Sequence, residues 1–268
     1  YLKEQNPDVQ IIAADPEGSV YSGGSGRPYL VEGVGEDFWP DTYDGSVVDD
    51  VVAISDAYSF EMARRVTMEE GLLIGGSCGT AVAAALEVGR NASPDDLVVV
   101  LIPDSGRGYL SKIFNDDWMS SFGFLTSDGV IVSDVLEAKE LEIPPLVYVQ
   151  PHDSVGDAVE VMQKHSVSQL PVAKGEMPLA AAEVQGSVSE LFLMERAFVG
   201  DDVLSKPVEE VMAPPMPTIG VGEPIELAVQ HLDSSPALLV LDGGRPRSVI
   251  SRTDVLRYLQ ARDALGVE

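Results

Sequence analysis

In the first half of the chain, short apolar segments alternate with amphipathic segments. Val9–Ala14 is a short apolar run closed by Asp-Pro, which predicts a strand. A helix is predicted over residues 57–70, after Ser55-Asp56 as a plausible N-cap and before a stop at Gly71. A second helix is predicted from Gly79–Thr80 onward, and Leu97–Ile102 is an aliphatic run typical of a parallel strand buried on both faces. Residues 16–46, rich in Gly, Pro and Tyr, predict a long functional loop in an α/β layer.

The second half of the chain contains an imperfect tandem repeat. Val132–Leu136 (VSDVL) matches Val208–Met212 (VEEVM), and Asp153–Val159 matches Glu223–Val229. Two further matches follow in the same order, LPV with SPA and GSVS with SVIS. Each copy predicts strand, helix, strand, strand, helix. Two copies of such a unit predict two small modules that pack about a pseudo-twofold axis, because a solenoid needs more copies of a shorter repeat.

Composition narrows the classes of partner. The chain has 268 residues, 45% of them hydrophobic, and a formal net charge of −27. That charge repels phosphate backbones and anionic lipids, so we expect no nucleic-acid and no membrane partner. Cys78 is the single cysteine, which rules out an internal disulfide and fits a reducing, cytoplasmic compartment. No metal site is expected.

Residues 75–79 (GGSCG) match the G-x-S-x-G pattern of a hydrolase nucleophile, which gives Ser77 three interpretations. A catalytic triad needs an acid, such as Asp104, and a histidine, but all three histidines lie in the repeat. A structural interpretation makes the segment a glycine-rich turn in which Ser77 or Thr80 caps the next helix. In the third, Ser77 binds a cofactor at the ends of the strands. Cys78 is either a small buried residue or a thiol activated by a helix N-terminus.

An ordered set of motifs then gives a family resemblance. The motifs are EGVG (32–35), EGLLIGGS (70–77), LIPDS (101–105) with GRGYLSK, and WM (118–119) with GF (123–124). Together they resemble the C-terminal half of the catalytic domain of the cystathionine β-synthases, and the repeat resembles their CBS-domain pair, or Bateman module.

The resemblance implies an α/β fold, part of a fold-type II pyridoxal-phosphate (PLP) domain of the tryptophan synthase β-like kind, followed by an α+β tandem CBS-domain pair. The implied boundaries are 1–124 for the catalytic part, 125–133 for a linker, 134–197 for the first CBS domain and 207–262 for the second.

The resemblance also implies roles for residues of the catalytic part. Ser77 would hydrogen-bond the pyridine nitrogen of PLP, with Pro103 and Asp104 beside the same ring edge. Gly33 and Gly35 would line the substrate mouth, where a side chain would obstruct entry. No lysine of the chain lies in the family's Schiff-base setting, and the phosphate-binding loop is missing. We therefore expect both upstream, in a longer polypeptide.

In the CBS pair, the turn Ser251-Arg-Thr-Asp254 has the Ser/Thr-x-x-Asp pattern that grips a ribose in this family, whereas the first copy has Phe192 in place of the acid. We expect one competent adenosyl site and one degraded site. The same turn is also a plausible helix cap with no ligand. The residues expected around the competent site are Val167, Gln169, Leu170, Val249, Ser251, Thr253 and Asp254.

The function implied by the resemblance is PLP-dependent condensation of L-serine with L-homocysteine to cystathionine, with hydrogen sulfide from side reactions. S-adenosylmethionine would be the allosteric ligand, and the protein would be a homodimer or homotetramer. Two alternatives stay open: a cysteine synthase that uses O-acetylserine, and a non-catalytic adenosyl-binding regulatory fragment.

Overall fold

The computed structural model describes residues 1–139, 146–197 and 203–265. Contacts divide the chain into two units, with the division after Trp118. The first predicted CBS domain includes residues 140–145, which lie outside the described residues.

The first unit is a small α/β arrangement whose sheet contains two parallel strands. Ile12 lies opposite Asp50 and Pro16 opposite Ile54, so the strands run in register over five residues. The elements are α1 (Leu2–Gln5), β1 (Ile12–Pro16), β2 (Asp50–Ile54), α2 (Asp56–Glu70), α3 (Gly76–Gly89) and the short α4 (Asp116–Ser121), which ends beyond the division.

The cap signals around α2 predicted that helix correctly. The Ser55 side chain accepts a hydrogen bond from the Tyr58 amide, and the helix ends at Gly71 in the left-handed conformation with φ of 72°. The long glycine-rich loop before β2 is also present.

The prediction for Leu97–Ile102 is wrong. This segment forms no strand in the structure, and Leu97 and Leu101 are 88% and 81% exposed. A parallel strand needs a neighbour that supplies hydrogen bonds, and among the described residues none lies beside this segment. Aliphatic composition alone therefore does not produce the strand.

Helix α3 begins at Gly76, three residues earlier than predicted, and Ser77 lies in its first turn. The prediction that Ser77 or Thr80 caps this helix is wrong, because the N-cap is Gly75 and makes no side-chain bond. Thr80 instead forms a 2.8 Å hydrogen bond with the hydroxyl of Ser59 on α2. This buried bond fixes the two helices against each other.

The second unit has the predicted repeat of elements. After α5 (Val132–Lys139), the first copy contains α6 (Val155–His165), β3 (Gln169–Ala173), β4 (Val184–Ser189) and α7 (Glu190–Ala197). The second copy contains β5 (Thr218–Gly220), α8 (Ile225–Ser234), β6 (Ala237–Asp242), β7 (Arg245–Ser251) and α9 (Arg252–Leu265). In the first copy the initial strand is reduced to a single parallel bridge between Val149 and Val172.

The segment that precedes each copy packs on the other copy. Helix α5 precedes the first copy, yet Val132, Val135 and Leu136 are buried in the core of the second copy. Residues 208–212 precede the second copy, and Val208 is buried in the core of the first. The exchange is symmetric, since Ile131 bridges to Pro224 and Pro207 bridges to Ser154. It explains why these segments match each other in sequence.

The predicted linker also contacts the second copy. The Ser127 amide donates a 2.8 Å hydrogen bond to the Gly222 carbonyl. A Cβ on Gly222 would lie 2.2 Å from the Leu125 carbonyl oxygen, so the two backbones are in direct contact. This part of the chain is therefore packed on the module.

Candidate functional site

The first candidate site surrounds Ser77 at the start of α3. Ser77 is 7% exposed, and among the described residues its hydroxyl has no hydrogen-bond partner. Gly33 lies opposite, with a φ of 80°, and a Cβ built on it would lie 3.8 Å from Ser77 Oγ. The structure thus brings together these two predicted residues, which are 44 positions apart in the sequence.

Asp104 lies beside the first turn of α3. Its Oδ2 accepts a 2.7 Å hydrogen bond from the Tyr109 hydroxyl, and its Oδ1 accepts one from the Ser105 amide. A Cβ on Gly75 would lie 2.8 Å from Asp104 Oδ2, so the carboxylate rests on the helix N-cap. The hydrogen bond to Asp104, with burial and nearby negative charge, raises the pKa of Tyr109 to about 12. Tyr109 therefore stays protonated and holds Asp104 in place. Pro103, which directly precedes Asp104 in the sequence, is exposed.

Cys78 has a structural position. It is fully buried, and its Sγ donates to the Asp104 carbonyl at 3.2 Å and accepts from the Asp104 amide at 3.3 Å. The Gly75 amide also donates to that carbonyl, at 3.2 Å. These bonds fasten residue 104 to the first turn of α3, and the burial of the thiol disfavours the reactive alternative.

Gly35 contacts different neighbours from Gly33. Its φ is 76°, and a Cβ would lie 2.5 Å from Pro16 Cγ and 2.6 Å from the Tyr29 hydroxyl. Glycine is therefore required here by packing at the end of β1, whereas Gly33 is the residue beside Ser77.

Charged side chains that sequence reasoning missed anchor the loop that carries both glycines. The Asp56 carboxylate accepts 2.9 Å hydrogen bonds from the amides of Leu30 and Val31. On the other side, Lys112 forms an ion pair with Glu32. The sequence marked Asp56 only as part of a helix start, and nothing local indicates that it also binds a loop 25 residues away.

These observations fit the ring end of a PLP cofactor. A nearly buried, unpartnered hydroxyl at a helix N-terminus can bond a ring nitrogen, and the missing side chain of Gly33 leaves space beside it. The lysines of this unit are Lys3, paired with Asp49, and Lys112, paired with Glu32. The hydrolase interpretation gains no support, because the unit contains no histidine to serve as a base.

The second candidate site is a cavity of about 580 Å³ inside the second unit. Six of the seven residues predicted for the adenosyl site line it: Val167, Gln169, Val249, Ser251, Thr253 and Asp254. Leu170 is fully buried in the core of the first copy and is not part of the wall. The remainder of the wall combines apolar side chains, such as Met162 and Leu193, with the charged side chains of Lys139, Glu190 and Arg257.

The polar end of this cavity is centred on Asp254. Its Oδ2 accepts 2.7 Å hydrogen bonds from both the amide and the hydroxyl of Ser251, which makes the turn a helix cap as well as a cavity wall. Lys139 Nζ lies 3.2 Å from the same oxygen and also donates to the Val249 carbonyl. Sequence reasoning missed Lys139, since α5 precedes the first copy but reaches the second.

The equivalent turn of the first copy has no carboxylate. Ser189 Oγ accepts a 3.2 Å hydrogen bond from the Phe192 amide, so the cap is kept. The Phe192 ring packs partly buried against the core of the first copy, with the Arg196 guanidinium 5.1 Å from its centre.

No helix in the described part of the chain is long and apolar enough to cross a membrane. The same part of the chain has no group of three or more His, Cys, Asp or Glu side chains placed to hold a metal ion.

Comparison with known proteins gives a match for each unit. Residues 1–104 match the family described as pyridoxal-phosphate dependent enzyme, and residues 138–178 and 208–261 match the CBS domain.

Among individual relatives, a cystathionine β-synthase of Dictyostelium discoideum is 28% identical over 96% of this chain and 54% of its own length. One from Oryctolagus cuniculus is 36% identical over 64% of this chain and 33% of its own length. An O-acetylserine dependent cystathionine β-synthase of Bacillus subtilis is 39% identical over 42% of this chain and 36% of its own length. The chain thus spans from about a third to about half of the length of these relatives.

Proposed function

We propose that this chain is a segment of a cystathionine β-synthase-like enzyme, in which part of a PLP-dependent domain precedes a pair of CBS domains, and that its polypeptide condenses L-serine with L-homocysteine to cystathionine. The observation that carries the proposal is the unpartnered Ser77 hydroxyl beside Gly33. We propose the other site residues with it: Pro103 and Asp104 near the cofactor ring, and Gly33 and Gly35 at the substrate mouth.

PLP, when bound, supplies the electron sink for β-elimination and β-replacement at an amino acid. In this chain, Ser77 would hydrogen-bond the pyridine nitrogen without adding charge, since a hydroxyl is neutral. A neutral partner favours elimination and replacement over transamination. The Asp104 carboxylate is already bonded by the Tyr109 hydroxyl and the Ser105 amide, so its part is to hold the turn that presents Ser77.

The contact between Ser77 and the cofactor is equally compatible with O-acetylserine as the substrate in place of L-serine. The relative from Bacillus subtilis is named for dependence on O-acetylserine, and it matches part of this chain at 39% identity. A cysteine or cystathionine synthase acting on O-acetylserine would use the same cofactor contact, because the two reactions differ in the group that leaves the β-carbon.

The test uses the polypeptide expressed from its complete reading frame. We expect a near-visible cofactor band, and cystathionine formed from homocysteine with either serine or O-acetylserine; the larger kcat/KM identifies the substrate. Ser77→Ala should lower cofactor affinity and kcat, and Ser77→Asp should change the cofactor spectrum by favouring a protonated ring nitrogen. Ser46→Ala, at an exposed serine bonded to Asp44, is the control.

A Ser77→Ala variant with normal spectrum and kinetics would refute the cofactor contact. Loss of an esterase activity with intact cofactor binding would instead revive the hydrolase interpretation. A colourless protein without either activity would favour the non-catalytic regulatory fragment.

We also propose that the cavity of the second unit binds an adenosyl ligand, with S-adenosylmethionine as the first compound to test. The support is that six of the seven predicted residues line one cavity of about 580 Å³, among them the Asp254 carboxylate and the Ser251 and Thr253 hydroxyls. Calorimetry should show binding that Asp254→Asn weakens at least tenfold. Asp233→Asn, an equal charge change at an exposed position, should leave affinity unchanged. Equal affinity of Asp254→Asn and the parent protein would refute the site.

We expect a homodimer or homotetramer in a reducing compartment, which sedimentation would test.

A further inference from the structure

A lysine of the chain occupies the polar end of the adenosyl cavity. Lys139 is the last residue of α5, and its ammonium donates to the Val249 carbonyl and pairs with Asp254 Oδ2 at 3.2 Å. The Lys139 side chain is 15% exposed and that of Asp254 10% exposed, so the pair is largely withdrawn from water. All three residues line the cavity.

The two acceptors that hold Lys139 are those that an adenosyl ligand needs. A carboxylate such as that of Asp254 accepts hydrogen bonds from ribose hydroxyls, and a backbone carbonyl such as that of Val249 accepts one from an exocyclic amine. A single ammonium group now donates to both. A ligand that used them would have to take the place of Lys139 Nζ.

We propose that Lys139 is an internal ligand of this cavity, which the adenosyl ligand displaces from Val249 and Asp254 when it binds. This inference rests on the proposed adenosyl site. Breaking the pair costs energy, because each partner is a largely buried charge that loses its counter-ion. The ligand's affinity is therefore lower than an empty cavity would give, and Lys139 sets the ligand concentration at which the site fills.

The position of Lys139 gives the displacement a direct structural consequence. Helix α5 is anchored on the core of the second copy through Val132, Val135 and Leu136, and its last residue, Lys139, lines the cavity. Release of the ammonium therefore frees the C-terminal end of α5 while the start of the helix stays packed. The end that is freed is the one that leads into the first copy.

The first test compares the affinity for S-adenosylmethionine of the parent chain and of Lys139→Met by calorimetry. Methionine keeps an apolar stem of similar length and removes the ammonium, so we expect affinity to rise at least tenfold. Lys164→Met, which makes the same charge change at an exposed position of α6, should leave affinity unchanged. Equal or weaker binding by Lys139→Met would overturn the inference.

The second test uses the unaltered protein and does not depend on the stability of a variant. Lysines are acetylated in solution with and without saturating S-adenosylmethionine, and modification is read by mass spectrometry. We expect Lys139 to be protected in the free protein and to become reactive in the complex, while Lys164 reacts equally in both. Protection of Lys139 in the saturated complex would overturn the displacement.

The two tests separate this inference from the proposed function. If neither the parent chain nor Lys139→Met binds S-adenosylmethionine, the adenosyl site itself is refuted, and the inference with it. If both bind but Lys139→Met binds no more tightly, the adenosyl site stands and only the role of Lys139 is refuted.

Discussion

Replacing Gly79 by alanine should separate the two helices that position Ser77. A Cβ at residue 79 would lie 1.9 Å from the Ser59 carbonyl oxygen and 2.9 Å from the Ala63 amide nitrogen, both on α2. These are backbone atoms, so no side-chain rotation relieves the clash. Non-bonded carbon contacts rest at about 3.5 Å, and α2 and α3 must therefore move apart by roughly 1.5 Å.

The expected magnitude combines three effects. Overpacking a helix interface costs about 1–3 kcal/mol. The separation also strains the buried 2.8 Å hydrogen bond between Ser59 and Thr80, and a buried hydroxyl left unsatisfied costs about 1–3 kcal/mol. Alanine gains about 1 kcal/mol over glycine as a helix former. We expect Gly79→Ala to destabilise the first unit by roughly 1–5 kcal/mol.

Gly89→Ala is the matched control, since it makes the same change in the same helix with nothing within 4 Å of the added Cβ. It should leave stability unchanged or raise it by up to about 1 kcal/mol. Hydrogen exchange read by mass spectrometry on peptides from α2 and α3 measures both variants and separates this unit from the second. Equal protection of Gly79→Ala and the parent protein would show that the close approach of the helices does not exist.

Asp56→Ala removes both acceptors of the loop amides and should cost roughly 2–4 kcal/mol, seen as faster exchange of residues 30–36; unchanged exchange would contradict the anchor. The hydrogen bond to Asp104 stabilises the neutral form of Tyr109 and so raises its pKa to about 12 in the folded protein. The stability that this bond adds to the folded protein is therefore complete below pH 10 and is lost as pH rises through about 12. An ultraviolet titration should therefore lose its highest-titrating tyrosine in Tyr109→Phe, and an unaltered curve would contradict the bond to Asp104. Gly220→Ala places a Cβ 1.7 Å from the carbonyl oxygen of Ser120, which belongs to the same unit, and should destabilise β5, measured by exchange of that peptide; parent-like protection there would contradict the contact.

Features encoded by neighbouring residues could be predicted from the sequence. Helix α2 is an example, because its cap at Ser55 and its stop at Gly71 act on backbone groups within one turn. The order of strands and helices in each repeat was predictable for the same reason. The family motifs also predicted that Gly33 and Ser77 lie close together at one site.

Features that depend on distant partners were not predictable. Leu97–Ile102 has the composition of a buried strand, but a strand forms only where another supplies hydrogen bonds, and those partners are not encoded in the run itself. Helix α3 likewise begins at Gly76 because residues 75 and 78 are bonded to the backbone of Asp104, which lies 26 positions after Cys78.

The adenosyl cavity shows how the two kinds of information combine. The Ser251-to-Asp254 turn predicts a cap and a ligand contact equally well, and the structure contains the cap and places the same carboxylate in a cavity. The packing of α5 on the second copy determines the chemistry of that cavity, because it places Lys139 beside Asp254. The repeat match between residues 132–136 and 208–212 was the sequence trace of that packing. An internal match in a tandem repeat therefore predicts equivalent packing, while the partner that each segment packs on follows only from the three-dimensional arrangement.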